Sequence, residues 1–354
     1  MPDFNITFIR FKNTPFGGAE RYLQRLTKGL ESQRIDTKTV HADLPSWLPS
    51  WIRVLLFNRK VCRRKKKSDL YFSLDRATCC DIYRAGDGVH RAFLQTKGFS
   101  LNPLHRAYLW LERRTFANAR LIIANSRMVK EQILHYYPDT DAAKIRIVYN
   151  GVPIPERFDK PKAKAALVEE LGLDPRRPIL LFVGSGFRRK GVEEFLRIIA
   201  SLKTPVQAVV VGKEKNMRHY RQLTKKLGIA EQTHFTGPRK DVERFYEAAD
   251  LFLFPTRYEP FSNVVLEAMS YAAVAVTTAQ NGAAEVLPER FVMSQPDDMS
   301  INTTIETLLR NKNDLQKVQQ EARSIAENYS IERNVDETLQ IIRECATILD
   351  HEKK

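Results

Sequence analysis

The sequence predicts an α/β protein with two Rossmann-like, doubly wound domains facing a central cleft, and three observations carry that expectation. Short β-branched or aromatic runs alternate with helical patterns along the whole chain, the signature of βαβ units and mostly parallel sheets. At 354 residues the chain exceeds the roughly 250 to 300 residues at which a single core stops growing. A stretch with two close prolines, Gly151-Val152-Pro153-Ile154-Pro155-Glu156, excludes regular pairing near the middle and marks a boundary.

In the first half the expected strands are Ile6 to Phe11, Thr37 to His41, Leu70 to Leu74, Asp81 to Arg84, Leu121 to Ala124 and Ile147 to Tyr149. In the second they are Ile179 to Val183, Ala208 to Val211, Thr233 to Phe235, Leu251 to Phe254 and Val274 to Thr277. Domains are therefore expected at 1–156 and 157–333, followed by a helix whose apolar spacing runs through Val335, Leu339, Ile342 and Leu349. Ligands of open α/β sheets bind outside the carboxyl ends of the strands. The motifs of this chain fall there.

The net charge is +15 and uneven: residues 1–156 hold 27 Lys and Arg against 14 Asp and Glu, and residues 157–354 hold 30 against 28. The first half thus points to an anionic partner. No apolar run approaches the roughly 18 residues needed to span a bilayer, and Met1-Pro2-Asp3-Phe4 does not open like a secretory signal. A cytoplasmic protein is expected. Cys62, Cys79, Cys80 and Cys345 lack zinc spacing, and the adjacent Cys79 and Cys80 read as buried thiols rather than a disulfide framework.

Behind the strand at Leu251 to Phe254, the segment Thr256-Arg257-Tyr258-Glu259-Pro260-Phe261-Ser262-Asn263-Val264-Val265-Leu266-Glu267-Ala268-Met269 places two carboxylates eight positions apart across a loop-to-helix junction. Ser262 or Asn263 is expected to cap that helix. Helix-start N–H groups suit phosphate oxygens, with Glu259 beside the bound group and Glu267 placed to accept hydrogen bonds from a diol. The competing reading is a solvated helix face. Gly184-Ser185-Gly186-Phe187-Arg188-Arg189-Lys190-Gly191 follows another strand and is expected to open a helix. A dinucleotide fingerprint would require glycine at position 189. The cations Arg189 and Lys190 suit instead a diphosphate leaving group whose charge grows as a bond breaks.

Near the start, Asn13-Thr14-Pro15-Phe16-Gly17-Gly18-Ala19-Glu20-Arg21 leads into an amphipathic helix through Tyr22, Leu23, Leu26 and Leu30. Gly17 and Gly18 let backbone approach a ligand or make an ordinary tight turn. Asp87 and His90, in Ala85-Gly86-Asp87-Gly88-Val89-His90-Arg91, are candidates for acceptor binding or proton handling. An Asp-Gly turn with a surface histidine is the alternative. Asn125-Ser126 ends a further strand or caps the next helix, and Asp139-Thr140-Asp141 lies in a polar loop with no apolar strand before it, so no metal is expected.

These motifs resemble the retaining nucleotide-sugar glycosyltransferases of family 4, from roughly Phe11 to Glu285. Within it they are closest to the lipopolysaccharide-core glucosyltransferases that act on inner-core heptose, sharing Pro-Phe-Gly-Gly, Gly-Ser-x-Phe-x-Arg-Lys-Gly and Leu-Glu-Ala. The resemblance implies the GT-B fold, with the terminal helix 334–354 completing an acceptor-binding first domain and a nucleotide-sugar donor-binding second domain. It implies transfer of a hexose, glucose foremost, from a UDP-sugar to a lipid-linked saccharide, with no cofactor. By the same likeness Gly17, Gly18, Arg189, Lys190, Phe261, Ser262, Asn263 and Glu267 bind donor. Gly237-Pro238-Arg239-Lys240-Asp241 resembles the loop at the nucleotide base, with Arg239 its cation, and Glu259 with Asp87 and His90 serve the chemistry. The chain departs from the family at Ala272 and Val274, where Gly and Pro are usual. A UDP-sugar epimerase of the same fold and a non-catalytic polyanion-binding protein are the alternatives.

Trp47-Leu48-Pro49-Ser50-Trp51-Ile52-Arg53-Val54-Leu55-Leu56-Phe57 precedes seven cations in nine positions, including Arg63, Arg64, Lys65, Lys66 and Lys67. Tryptophans, aliphatics and then a basic run form an interfacial combination, so an anionic membrane surface, the inner face of the cytoplasmic membrane, is an expected partner. A core helix with a solvated basic end is the competing reading. Nucleic acid is not expected, since no recognition motif accompanies the charge.

Overall fold

The structure is a computed structural model that describes residues 5–12, 18–32, 34–66, 68–98 and 100–352. The chain forms two compact units, Met1–Asn150 with Glu332–Lys354, and Gly151–Ile331. In the first, strands β1 (Asn5–Ile9), β2 (Thr37–Val40), β3 (Asp69–Ser73), β4 (Ile82–Ala85), β5 (Leu121–Ala124) and β6 (Ile145–Ile147) make one parallel sheet in the order β2-β1-β3-β4-β5-β6. Helices α1 (Gly18–Ser32), α2 (Ser50–Arg63), α3 (His90–Lys97), α4 (Pro103–Asn118) and α5 (Arg127–Tyr136) connect them. Parallel strands need cover on both faces, and β3, β4 and β5 are buried along their whole length. On one side Leu23, Leu26 and Leu30 of α1 meet Phe8 and Phe72, and the terminal helix, Ile331–His351, adds Leu339, Ile342 and Cys345 to the same core.

The second unit holds β7 (Ile179–Val183), β8 (Gln207–Val211), β9 (Thr233–Gly237), β10 (Leu251–Phe254), β11 (Val274–Thr278) and β12 (Val292–Met293), in the order β12-β11-β10-β7-β8-β9. Its helices are α6 (Lys160–Leu171), α7 (Phe187–Lys190), α8 (Val192–Ser201), α9 (Met217–Lys226), α10 (Val242–Ala248), α11 (Asn263–Ser270), α12 (Ile301–Arg310) and α13 (Lys312–Glu327). The unit's first strand, β7, is central, and the strand order reverses between it and β10. That junction is the topological switch point, where sheets of this kind bind ligands.

Several sequence expectations shift. β1 stops at Ile9, not Phe11, because the Phe11 N–H turns to Asp75 Oδ2 at 2.6 Å. β6 lies two residues early, since Ile145 pairs with Ile122 while the Tyr149 carbonyl accepts from Asn334 Nδ2 at 2.5 Å. β12 carries no legible pattern in its two residues. The proline stretch belongs to the second unit: Val152 N–H bonds the Tyr329 carbonyl at 3.0 Å, and Val152 pairs with Ser330. The cysteine expectation is corrected. Cys79 is joined to Cys62 in a disulfide, their Cα atoms 5.5 Å apart, while Cys80 and Cys345 are buried free thiols.

A buried charge pair braces the carboxyl-end loops of the first sheet. Glu112 on α4, wholly buried, takes Arg76 Nε at 2.9 Å and the His90 N–H at 2.8 Å on Oε1, and the Tyr137 hydroxyl at 2.8 Å on Oε2. Arg76 also reaches the Gly88 carbonyl at 3.5 Å. Removing one partner of such a pair leaves an uncompensated buried charge. Glu112→Ala should therefore lower first-unit stability by about 3–5 kcal/mol, read as a urea midpoint by tryptophan fluorescence, since Trp47, Trp51 and Trp110 all lie in this unit. Replacing both Glu112 and Arg76 by Met should recover most of the loss; an Ala variant as stable as wild type would refute the bracing role.

Candidate active site

At the switch point of the second unit, the turn after β7 and the loop after β10 are joined through backbone. Gly191 has φ +80°, and a Cβ there would lie 1.8 Å from the Pro255 carbonyl oxygen. Glycine is required for that approach. The Arg189 carbonyl accepts from Arg257 N–H at 2.9 Å and from Thr256 Oγ1 at 3.2 Å, and Arg257 Nε donates to the Arg188 carbonyl at 3.2 Å. Two loops separated by nearly seventy residues are therefore tied together.

The result is a cluster of one carboxylate and two cations. Arg189 Nη1 lies 2.5 Å from Glu259 Oε2 and donates to the Tyr258 carbonyl at 2.9 Å, while Lys190 Nζ stands 3.3 Å from the same carboxylate oxygen. Lys190 also sits 4.9 Å from the centre of the Phe254 ring. The Arg189, Lys190 and Glu259 side chains are 38%, 15% and 18% exposed, so they are held in place yet open to a ligand. The helix expected to begin with these cations is a single turn, Phe187–Lys190, closed by Gly191 before α8 starts. The cations thus occupy the end of that turn as much as its start. The Phe187 N–H is taken by Glu214 Oε2 at 3.0 Å.

Glu259 is fixed from the other side by the loop after β11. Its N–H bonds the Gln280 carbonyl, and its carbonyl accepts from Gly282, both at 3.0 Å. Asn281, buried, accepts from the Ser262 and Ala283 N–H groups at 3.1 Å each and donates to Thr277 Oγ1 at 3.0 Å. Thr277 and Thr278 in turn donate to the carbonyls of Phe254 and Thr256. Sequence reasoning passed over Asn281; an Asn directly before Gly282-Ala283 is an Asx-turn signal that could have found it. Ser262 occupies the N-cap of α11, but its side chain makes no cap bond. Phe261 and Ser262 are buried and Asn263 opens the helix. Glu267, on the second turn, accepts the Tyr246 hydroxyl at 3.0 Å, a contact the sequence did not reveal.

Arg239 stands apart from this cluster. Its guanidinium makes two bonds to Asp241, at 2.9 and 2.8 Å, and a third contact of 2.9 Å to Glu170. In the first unit Asp87 is exposed and His90 buried at the start of α3. Burial, then the neighbouring Arg76 charge, push the His90 imidazole down to about 3. His90 is therefore neutral at physiological pH. The Asp87 loop is held by Asn125 Nδ2 on the Gly86 carbonyl at 3.0 Å, and Ser126 caps α5 through Val129 N–H at 3.1 Å. Gly18 begins α1; Gly17 lies outside the described residues.

Trp47 is 80% and Trp51 39% exposed, and Arg63, Arg64 and Lys66 are exposed beyond them. Lys65 is instead committed to Asp81 at 2.7 Å and the Cys79 carbonyl at 2.8 Å, and Lys67 lies outside the described residues. α2 packs on α4 through Val54, Ala107 and Leu111, and α4 exposes Trp110 with Arg114 4.5 Å above its ring, a feature the sequence reading missed. Among the described residues no helix is long and apolar enough to cross a membrane, and no group of three or more His, Cys, Asp or Glu could hold a metal.

Comparison with known proteins bears on the family and the fold. Residues 163–325 match the family model of glycosyl transferases group 1, and residues 83–155 match that of glycosyltransferase family 4. The lipopolysaccharide glucosyltransferase WaaG of Escherichia coli K12 is 25% identical over 319 residues, 80% of this chain and 83% of that protein. A crystal structure of WaaG, described as a glycosyltransferase involved in lipopolysaccharide biosynthesis, superposes with a TM-score of 0.78 at 22% identity, covering 95% of this chain and 99% of that one. HepE of Anabaena, crystallised with UDP and glucose, gives 0.76 at 19% identity over 97% and 100%. The fold is GT-B.

The joint between the two loops is open to test. Gly191→Ala should separate them, exposing the second unit to proteolysis near residues 184–191 and 255–259 and lowering its thermal midpoint. An alanine variant with wild-type digestion and melting would show that the close approach is dispensable.

Proposed function

The chain belongs to the family 4 glycosyltransferases, and from that premise we propose that it moves a hexose, glucose foremost, from a UDP-sugar to a lipid-linked saccharide with retention of configuration. The Arg189–Glu259–Lys190 cluster at the switch point carries the reading. Arg189 and Lys190 would take the donor diphosphate and stabilise the charge that develops on it as the glycosidic bond breaks. Glu259 holds both cations in position and is released to the donor sugar as phosphate replaces it. Glu267, oriented by Tyr246, accepts the ribose hydroxyls, and the phosphate meets its charge in these side chains without a divalent metal. HepE with UDP and glucose, and the glucosyltransferase activity named for WaaG, support this donor class.

Asp87 and His90 are assigned to the acceptor. A histidine held neutral by burial beside Arg76 offers a hydrogen bond more readily than it takes a proton, which leaves deprotonation of the acceptor to the departing phosphate, as the family resemblance implies. Trp47 and Trp51 with Arg63, Arg64 and Lys66 fit an anionic membrane surface, the place of a lipid-linked acceptor at the cytoplasmic face.

Lys190→Met and Glu259→Gln should each lower kcat/KM for transfer from a UDP-hexose by about a hundredfold or more, with EDTA without effect. Undiminished transfer in both variants would remove Lys190 and Glu259 from the site, a wild-type protein that transfers no sugar would end the enzymatic reading, and a new sugar epimer formed from UDP-sugar alone would replace it with the epimerase. Changing Arg63, Arg64 and Lys66 together to Gln should weaken co-sedimentation with phosphatidylserine vesicles by up to about a hundredfold, at about 1 kcal/mol per cation. Sedimentation equal to wild type would refute the membrane surface.

A further inference from the structure

His90 does not stand alone. Its Nε2 lies 3.0 Å from Nδ1 of His105 on α4, and His105 Nε2 lies 3.1 Å from the ammonium of Lys97 at the end of α3. Neither His105 nor Lys97 stood out in the sequence. The direction of the chain follows from donor chemistry, because an ammonium has three protons and no lone pair. Lys97 donates, so His105 Nε2 accepts. A neutral imidazole carries one proton, and that of His105 is thereby placed on Nδ1, facing His90. His90 Nε2 must accept in turn. Its own proton is left on Nδ1, which makes no hydrogen bond among the described residues.

We propose that Lys97 and His105 are positioning residues that set the tautomer of His90, so that His90 presents its Nδ1–H as a fixed donor to an oxygen of the saccharide acceptor. The packing holds the rings for this purpose: the His90 and His105 rings are 5.1 Å apart, and Tyr108 meets His90 edge-on at 5.1 Å. Glu112 pins the His90 backbone N–H, so the ring cannot drift along the helix start. Burial and the Arg76 charge push the His90 imidazole down to about 3, and burial with the Lys97 ammonium lowers His105 in the same direction, so both rings are disfavoured from taking the second proton that would break the one-way order. Relays of this kind, in which a partner on one ring nitrogen decides the state of the other, are how imidazoles are given a single role. The ligand role rests on the glycosyltransferase reading; the tautomer does not.

The test is long-range proton–nitrogen correlation on the full-length protein labelled with nitrogen-15 histidine, with His90→Gln and His105→Gln used for assignment. At neutral pH both rings should appear as Nδ1–H tautomers. Lys97→Met should introduce the Nε2–H form in both, and Lys97→Arg should restore the original pattern. On the transfer reading, Lys97→Met should also raise the acceptor KM about threefold to tenfold, the worth of one neutral hydrogen bond, with kcat and donor KM little changed. A wild-type His90 found as the Nε2–H tautomer or as a cation, or a Lys97→Met spectrum identical to wild type, would overturn the relay. The expected tautomers in a protein that transfers no sugar would instead uphold the relay and remove the enzymatic reading.

Discussion

The active-site account depends on one close approach, that of Gly191 to the Pro255 carbonyl. Because a side chain cannot fit there, the turn after β7 and the loop after β10 lie against each other, and the Arg189 carbonyl binds the backbone of Arg257. Everything else at the switch point follows. Arg189 and Lys190 come to rest on Glu259, Asn281 fixes the far side of the same loop, and α11 starts where that loop ends. A backbone assembled by contacts of this kind is preorganised, so the loops that carry the cations need no rearrangement when a ligand's charge develops.

The two units treat charge differently. In the second, the Arg189, Lys190 and Glu259 cluster is partly open, so its members exchange partners at low cost. In the first, Arg76 and Glu112 are buried together and bound to three further groups. Separating that pair would be expensive. One arrangement suits a carboxylate that yields its cations to phosphate. The other suits a scaffold that holds a loop and a histidine in one geometry.

What the sequence made legible was chemistry written in neighbouring residues. The alternation of β-branched runs with helical spacing announced parallel sheets, and the cations at 189 and 190, with Arg189 where a dinucleotide fingerprint has glycine, marked the turn that the structure brings against Glu259. Glu259 and Glu267 are separated by a loop-to-helix junction whose elements each have local signals. What remained hidden depends on partners far apart in sequence. Glu112 meets Arg76 across 36 residues, Tyr246 meets Glu267 across 21, and Cys62 finds Cys79 because the fold sets their Cα atoms 5.5 Å apart. Arg239 shows the same limit. The family likeness of its loop placed it at the nucleotide base, while its partners Asp241 and Glu170 were not announced by the sequence. Lys65 likewise belongs to Asp81, not to the exposed basic surface.

The central claim is that the donor diphosphate sits on Arg189 and Lys190. Calorimetric titration of UDP into the wild-type protein and the Lys190→Met variant tests it most directly. The account predicts measurable UDP binding by wild type and affinity at least about tenfold weaker in the variant, the scale of one charge-assisted hydrogen bond. Equal affinity in the two proteins would contradict it and place the diphosphate elsewhere.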